Sequence, residues 1–355
     1  MQRDIPLAPL TTLKVGGSAR WYRRAESVAD VVRAVADARR KEIPIVVLGG
    51  GSNLVVADSG FDGLVLHMNI DTVSFSESGD AVTVSAGGGA EWDSLVAAAT
   101  ARGLAGLECL SGIPGTVGGT PVQNVGAYGQ EVSSSIEQVH VVDLRTGKAE
   151  VFDAAGCEFG YRMSRFKARD AGRFVVTEVT FRLRRDPPTV AYPDVIAQMR
   201  QHEIISPDVR AVRDAVLAIR RRKGMVLDPA DSDTRSVGSF FMNPVIPPAR
   251  FALLSSQEPA VPSFPAMGGV KIPAAWLIQR AGFGAQTIEG GAAISSKHPL
   301  AIVNRDDASA SDVVRLAARI KRGVADRFGV PLMPEPRFLG FNGNQDVAYL
   351  LDTQI

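Results

Sequence analysis

Apolar residues recur along this chain in two rhythms, one helical and one alternating. Residues 27–40 set Val28, Val31, Val32, Val35 and Ala38 on one helical face, and Pro44 stops that helix before the apolar run Ile45-Val46-Val47-Leu48, a buried strand. A Gly-rich turn follows, after which Leu54-Val55-Val56 reads as a second strand. From about Val73 to Arg184 the pattern mixes extended stretches (81–86, 139–143 and 174–183) with a helix over 92–102. The alternation in Val175 to Phe181 predicts a sheet with one buried face. A helix over 207–222, with Val209, Val212, Val216 and Ile219 on one face, is ended by Gly224. The Pro-rich stretches 244–248 and 259–265 are loops. Ser309-Ala310-Ser311-Asp312 resembles a capping box opening a helix through Val313, Val314, Ala317, Ile320 and Val324, which Gly329 ends. The whole is an α+β chain without internal repeats.

At 355 residues the chain exceeds a single-core size, so two or three subdomains are expected. With 45% hydrophobic and 22% charged residues it is ordinary globular material. A net charge of +1 supplies no general attraction to nucleic acid or an anionic membrane, so anionic ligands must be held locally. No apolar run approaches the roughly 18 residues of a spanning helix, and the N-terminus runs into Pro6 and Pro9 without an export-signal stretch. Cys109 and Cys157 are too few for a disulfide framework. A soluble protein of the reduced cytoplasm is expected. The four histidines (His67, His140, His202, His298) show no metal-ligand spacing, so no metal is expected.

Candidate chemistry begins at Gly49-Gly50-Gly51-Ser52-Asn53-Leu54, where consecutive backbone N–H groups are able to hold a pyrophosphate. A plain Gly-rich hairpin is the competing reading. Leu54 stands where a Rossmann fingerprint needs glycine, and no Gly-Lys-Ser/Thr closes a P-loop. A second cluster runs Ser111-Gly112-Ile113-Pro114-Gly115-Thr116-Val117-Gly118-Gly119, followed by Asn124-Val125-Gly126-Ala127-Tyr128. So many glycines suggest close backbone approach to a flat ligand, and the two clusters are suited to gripping the two ends of one long cofactor. Three further segments are weak one by one: Phe159-Gly160-Tyr161-Arg162, a guanidinium after a glycine; Gly238 to Pro244, with Ser239 between glycine and aromatics; and Pro334-Glu335-Pro336, a bracketed carboxylate.

Taken in order with Thr11-Thr12-Leu13, these segments resemble the UDP-N-acetylenolpyruvoylglucosamine reductase (MurB) family over nearly the whole chain. The resemblance implies an FAD-binding fold of the vanillyl-alcohol-oxidase/PCMH type. Two α+β subdomains (1–72, and 73–206 with a C-terminal return at 326–355) would hold the flavin, and an α+β substrate domain would span 207–325. It implies non-covalent FAD, NADPH as hydride donor and a UDP-sugar substrate, in a protein expected to be a monomer. NADPH would reduce the flavin, and after NADP leaves, the enolpyruvyl sugar would enter the same pocket. Cofactor contacts are implied for residues 49–54, for Ser111, Gly112, Ile113, Pro114, Gly115, Thr116, Gly118 and Gly119, and for Asn124, Gly126, Ala127 and Tyr128. Arg162, Ser239 and Glu335 fall on catalytic positions: Arg162 and a protonated Glu335 to stabilise an enolate, Ser239 to donate a proton. Tyr192, in Ala191-Tyr192-Pro193-Asp194, resembles the diphosphate-binding tyrosine of the type I subgroup, and Lys223 and Asn243 sit at substrate positions. Met242 departs from a lysine that many members carry.

Overall fold

The computed structural model describes residues 1–353. The chain divides into two compact units, one of Met1–Ile5, Ala19–Gly51 and Asp62–Val226, the other of Pro6–Ser18, Ser52–Phe61 and Leu227–Ile355.

In the first unit the helix Val28–Arg40 starts where expected, with the Ser27 side chain accepting the Asp30 N–H. Its buried face of Val31, Ala34, Val35 and Ala38 joins a core with Leu64, Leu66 and Met68 of the strand Phe61–Met68. That strand lies in a four-stranded sheet and pairs in parallel with Ile45–Leu48. A five-stranded antiparallel sheet follows the order Ala149–Asp153, Ile136–Asp143, Phe174–Arg184, Ala81–Gly87, Val73–Ser78.

The alternation in Phe174–Arg184 suggested one buried face, yet Val175, Val176, Thr177, Val179, Thr180 and Phe181 are all buried. Central position explains the difference. Val175 joins the core beneath Val28–Arg40, while Val176, Val179, Phe181 and Leu183 pack with Trp92, Leu95, Val96 and Ala99 of the helix Trp92–Ala101.

The helix Val209–Arg222 was expected to open the substrate domain. It belongs instead to the first unit, because Val212, Ala215, Val216 and Ile219 pack with Val195 and Met199 of the helix Pro193–Gln201 and with Cys109.

The second unit carries a four-stranded sheet ordered Ser236–Ser239, Ala301–Asn304, Ala292–Ile294, Ile288–Glu289, covered by the helix Ala310–Phe328. Ser309 and Asp312 form the expected capping box, and Gly329 ends the helix in the left-handed conformation with φ 58°. The strand Leu54–Val56 pairs in parallel with Arg337–Leu339, so residues 326–353 and 52–61 fold with this unit. The C-terminal return was expected in the flavin subdomain. The Phe338 and Leu350 side chains pack on this unit's core beside Val55 and Val330.

Candidate active site

Glycine at positions 49 and 50 is dictated by proximity. A Cβ on Gly49 would stand 2.5 Å from Thr116 Oγ1, and one on Gly50 would stand 2.6 Å from Gly115 Cα. The two glycine clusters therefore meet backbone to backbone in the first unit. The hairpin reading fails, because Ile45–Leu48 and Leu54–Val56 pair with different strands, Phe61–Met68 and Arg337–Leu339.

A third cluster that the sequence reading passed over, Gly87-Gly88-Gly89, backs the second. A Cβ on Gly118 would meet Gly88 O at 2.8 Å, and the Gly118 N–H donates to that oxygen at 2.9 Å. Its signal was the uninterrupted Gly triplet at a strand end.

The donors expected from the Gly112–Gly119 segment are largely committed within the protein. Asp93 Oδ1 accepts the Gly112 N–H at 2.6 Å, Thr116 O accepts that of Gly119 at 3.0 Å, and Ala90 O accepts that of Val117 at 2.9 Å. Glu108 O accepts from Ser111. Gly115 and Gly118 of this segment serve close backbone approach more than donation to a ligand. Asp93 is fixed in turn by two bonds from Arg213, at 2.6 and 2.8 Å. Burial raises its pKa, but Arg213 and the Gly112 N–H outweigh that and hold its carboxyl below the usual value.

Arg162 occupies a tight turn closed by Gly160 and Met163, whose N–H groups each donate to the other's carbonyl at 3.0 Å. Its φ is 53°, a left-handed backbone that costs a non-glycine residue about 1 kcal/mol or more. Its Nη2 donates to Gly126 O at 2.6 Å. Buried Asn124 braces the same turn, its Nδ2 donating to Gly160 O at 3.0 Å and to Glu131 at 2.8 Å. Asn124, expected among the cofactor contacts, is held by these bonds. Gly126 and Ala127 form a short strand paired with Gln130–Glu131.

The expected substrate residues Tyr192 and Lys223 also lie in the first unit. Tyr192 is 41% exposed and meets Tyr128 edge to face, with ring centroids 5.4 Å apart. Lys223 donates to Asp194 at 3.0 Å. Tyr128, expected among the cofactor contacts, thus stands beside Tyr192. Burial raises its phenol pKa against the pull of Arg220 and Lys223. Arg220 was missed by the sequence reading. Its Nη2 donates to Met225 O at 2.8 Å, and its Nε is buried without a partner. Nothing in the run Arg220-Arg221-Arg222 separates the buried arginine from solvated ones except its place on the helix face.

In the second unit Ser239 closes its strand opposite Ala301. The next residue accepts from the third catalytic candidate, since the Glu335 N–H donates to Phe240 O at 2.9 Å. Ser239 and Glu335 are thereby brought onto neighbouring backbones. Glu335 is half-buried, and its carbonyl accepts from Asn53 Nδ2 at 3.3 Å. Asn243 Oδ1 accepts the Ala274 N–H at 2.9 Å and so holds the start of the helix Ala274–Arg280. Met242 donates its N–H to Met333 O at 2.9 Å. Both cysteines are buried, and burial pushes each thiol up to about 12, so neither is a reactive thiolate. Among the described residues no cluster of three or more His, Cys, Asp or Glu side chains is able to hold a metal. No helix among them is long and apolar enough to cross a membrane.

Comparison with known proteins agrees with this geometry. Residues 19–153 match the FAD binding domain family, and residues 228–339 match the family described as UDP-N-acetylenolpyruvoylglucosamine reductase, C-terminal domain. The reductase of that name from Thermobifida fusca is 44% identical over 349 residues, covering 95% of this chain and 98% of the relative. That from Mycobacterium marinum is 47% identical, covering 95% and 94%. A solved structure, the UDP-N-acetylenolpyruvylglucosamine reductase from Thermus caldophilus, superimposes with TM-score 0.66 at 27% identity, covering 95% of this chain and 98% of that one.

A domain of the FAD-binding class, in a chain similar to these reductases along its length, makes this chain a flavin-dependent oxidoreductase with the expected α+β fold of the vanillyl-alcohol-oxidase type. The full-length relatives fix it further. The chain belongs to the UDP-N-acetylenolpyruvoylglucosamine reductase family.

Proposed function

We propose that this enzyme reduces the enolpyruvyl ether of UDP-N-acetylglucosamine to UDP-N-acetylmuramate, using NADPH, in cytoplasmic synthesis of peptidoglycan precursors, and so serves cell shape and division. FAD, when bound, supplies the hydride that it has taken from NADPH. The observation that carries the reading is the meeting of the Gly49–Gly50 loop with Gly115–Thr116, where neither Gly49 nor Gly50 has room for a Cβ. Two Gly-rich loops packed this closely present a backbone surface that suits a cofactor carrying a pyrophosphate. Gly49, Gly50 and Gly51, with Gly115 and Thr116, would hold it.

The remaining work falls to the chain's own groups. Arg162, on its constrained turn, offers a planar fork to the substrate carboxylate and stabilises the negative charge that develops there on reduction. Ser239 gives its hydroxyl proton to the carbon of the double bond opposite the one reduced. Glu335, hydrogen-bonded through its backbone beside Ser239, is the third catalytic group of this reading. Tyr192 and Lys223 hold the UDP diphosphate by a phenol and an ammonium, in the manner of the type I subgroup, while Asn243 orders the loop that carries Met242. No partner beyond these small molecules is required, and a monomer suffices.

The test is the visible spectrum of the purified protein. Near-stoichiometric flavin, released by acid, should bleach with NADPH and recover on anaerobic addition of the enolpyruvyl sugar. Bleaching without recovery would point to another small acceptor and overturn the substrate assignment.

A further inference from the structure

His298 fits no ligand spacing in the sequence, yet its Nε2 lies 3.2 Å from Ser239 Oγ. Both residues are half-buried. Ser239 ends the strand Ser236–Ser239, and His298 sits in the turn between Ala292–Ile294 and Ala301–Asn304. That turn is pinned from within: the N–H groups of Lys297 and His298 donate to Ser295 Oγ at 3.1 and 3.3 Å, and the Ala301 N–H donates to His298 O at 3.0 Å. It is also tied to the serine, because the Phe240 N–H donates to Leu300 O at 2.7 Å. The imidazole and the hydroxyl are therefore held together by the backbone of both segments.

We propose that His298 is a positioning residue for proton delivery by Ser239, its Nε2–H donating to a lone pair of Oγ; this rests on Ser239 being the acid. A hydroxyl carries one proton and two lone pairs. A ring that accepted would hold that proton away from the substrate, whereas a ring that donates leaves it free to point elsewhere. During transfer the Oγ–H bond breaks, a C–H bond forms on the enol carbon, and negative charge gathers on Oγ. The imidazole N–H faces that charge before it develops, and the alkoxide then regains a proton from water. Donors aimed at developing oxyanions elsewhere are worth about 10²–10³ in rate; a half-buried imidazole should give about 10- to 100-fold.

The experiment uses FAD-loaded enzyme reduced by NADPH and then mixed anaerobically with the enolpyruvyl sugar. His298→Ala should slow flavin reoxidation about 10- to 100-fold, while leaving flavin reduction by NADPH, and substrate affinity read from the perturbed flavin spectrum of the oxidised enzyme, within about twofold. His298→Gln, whose amide still donates, should recover most of the loss. Ser239→Ala with His298→Ala should reoxidise no more slowly than Ser239→Ala alone, because the ring acts through Oγ. Parental reoxidation in His298→Ala, glutamine no better than alanine, equal slowing of both half-reactions, or additivity in the double variant would each overturn the proposal. If Ser239→Ala itself loses nothing, the assignment of Ser239 as acid fails. If only His298→Ala loses nothing, that assignment stands and the positioning role fails.

Discussion

Gly50→Ala tests whether the two glycine loops must touch. The new Cβ would lie 2.6 Å from Gly115 Cα, 3.1 Å from its carbonyl carbon and 3.4 Å from its nitrogen. All three are backbone atoms, so no side chain is able to swing aside, and the loops must part by roughly an ångström to reach ordinary contact. Overpacking of this kind costs about 1–3 kcal/mol. The apoprotein relieves it by separating the loops, but a bound cofactor would hold them together, so the cost should appear in FAD affinity. At about 1.4 kcal/mol per tenfold, the Kd should rise roughly 5- to 150-fold. Titration of apoprotein with FAD, followed by quenching of flavin fluorescence, reads this directly, with the apoprotein Tm beside it. Gly119→Ala is the companion, since its Cβ would meet nothing within 4 Å. It should leave the apoprotein Tm unchanged and weaken FAD only where that open space belongs to the cofactor. Parental FAD affinity in Gly50→Ala, with or without a lower Tm, would refute the reasoning and reduce the loop contact to ordinary packing.

Arg162→Lys should retain FAD but lose about 2–4 kcal/mol of transition-state stabilisation, since an ammonium does not reproduce a planar fork; unchanged kcat at saturating substrate would make Arg162 structural. Tyr192→Phe should raise the KM for the UDP-sugar more than it slows flavin reduction by NADPH, and equal UDP-sugar binding by calorimetry would remove the diphosphate contact. Asp143 is fully buried and accepts from Arg173 and from the N–H groups of Arg145 and Thr146. Burial raises its pKa, but those donors outweigh it and hold the carboxyl below its usual value, so its contribution is present above about pH 4 and is lost as pH falls through the lowered folded value. Asp143→Asn should therefore cost about 2 kcal/mol at neutral pH, below the roughly 3–5 kcal/mol of a fully buried pair because the Arg173 side chain is 32% exposed. The gap from the parent should close in acid, and denaturant melts at pH 7 and pH 3 check it.

Local pattern revealed the elements well. The 3.6-residue rhythm of 28–40 and the Ser309–Asp312 capping box correspond to helices that begin within a residue of expectation, because caps and periodicity are written in consecutive residues. The unit boundaries were less legible. Leu54–Val56 finds its partner at Arg337–Leu339, and the pairing of distant short strands leaves no local trace. The same holds within the site. Gly49 and Gly50 announced a close approach, but only the fold shows that Gly115 and Thr116 approach them. Arg162 carries a left-handed φ that its residue type does not suggest. Arg220 and His298 acquire their meaning from neighbours 92 and 59 positions away, Tyr128 and Ser239.

The central claim, that Ser239 supplies the proton which completes reduction of the enolpyruvyl group, is tested most directly by Ser239→Ala in a stopped-flow instrument. Hydride arrival from NADPH needs no acid from Ser239, so the flavin of the variant should bleach at a near-parental rate. Its reoxidation by the enolpyruvyl sugar should fall by about 10²- to 10⁴-fold, the range typical of a lost general acid. Equal slowing of both phases would show that Ser239 only shapes the pocket, and parental rates in both would show that the proton comes from elsewhere.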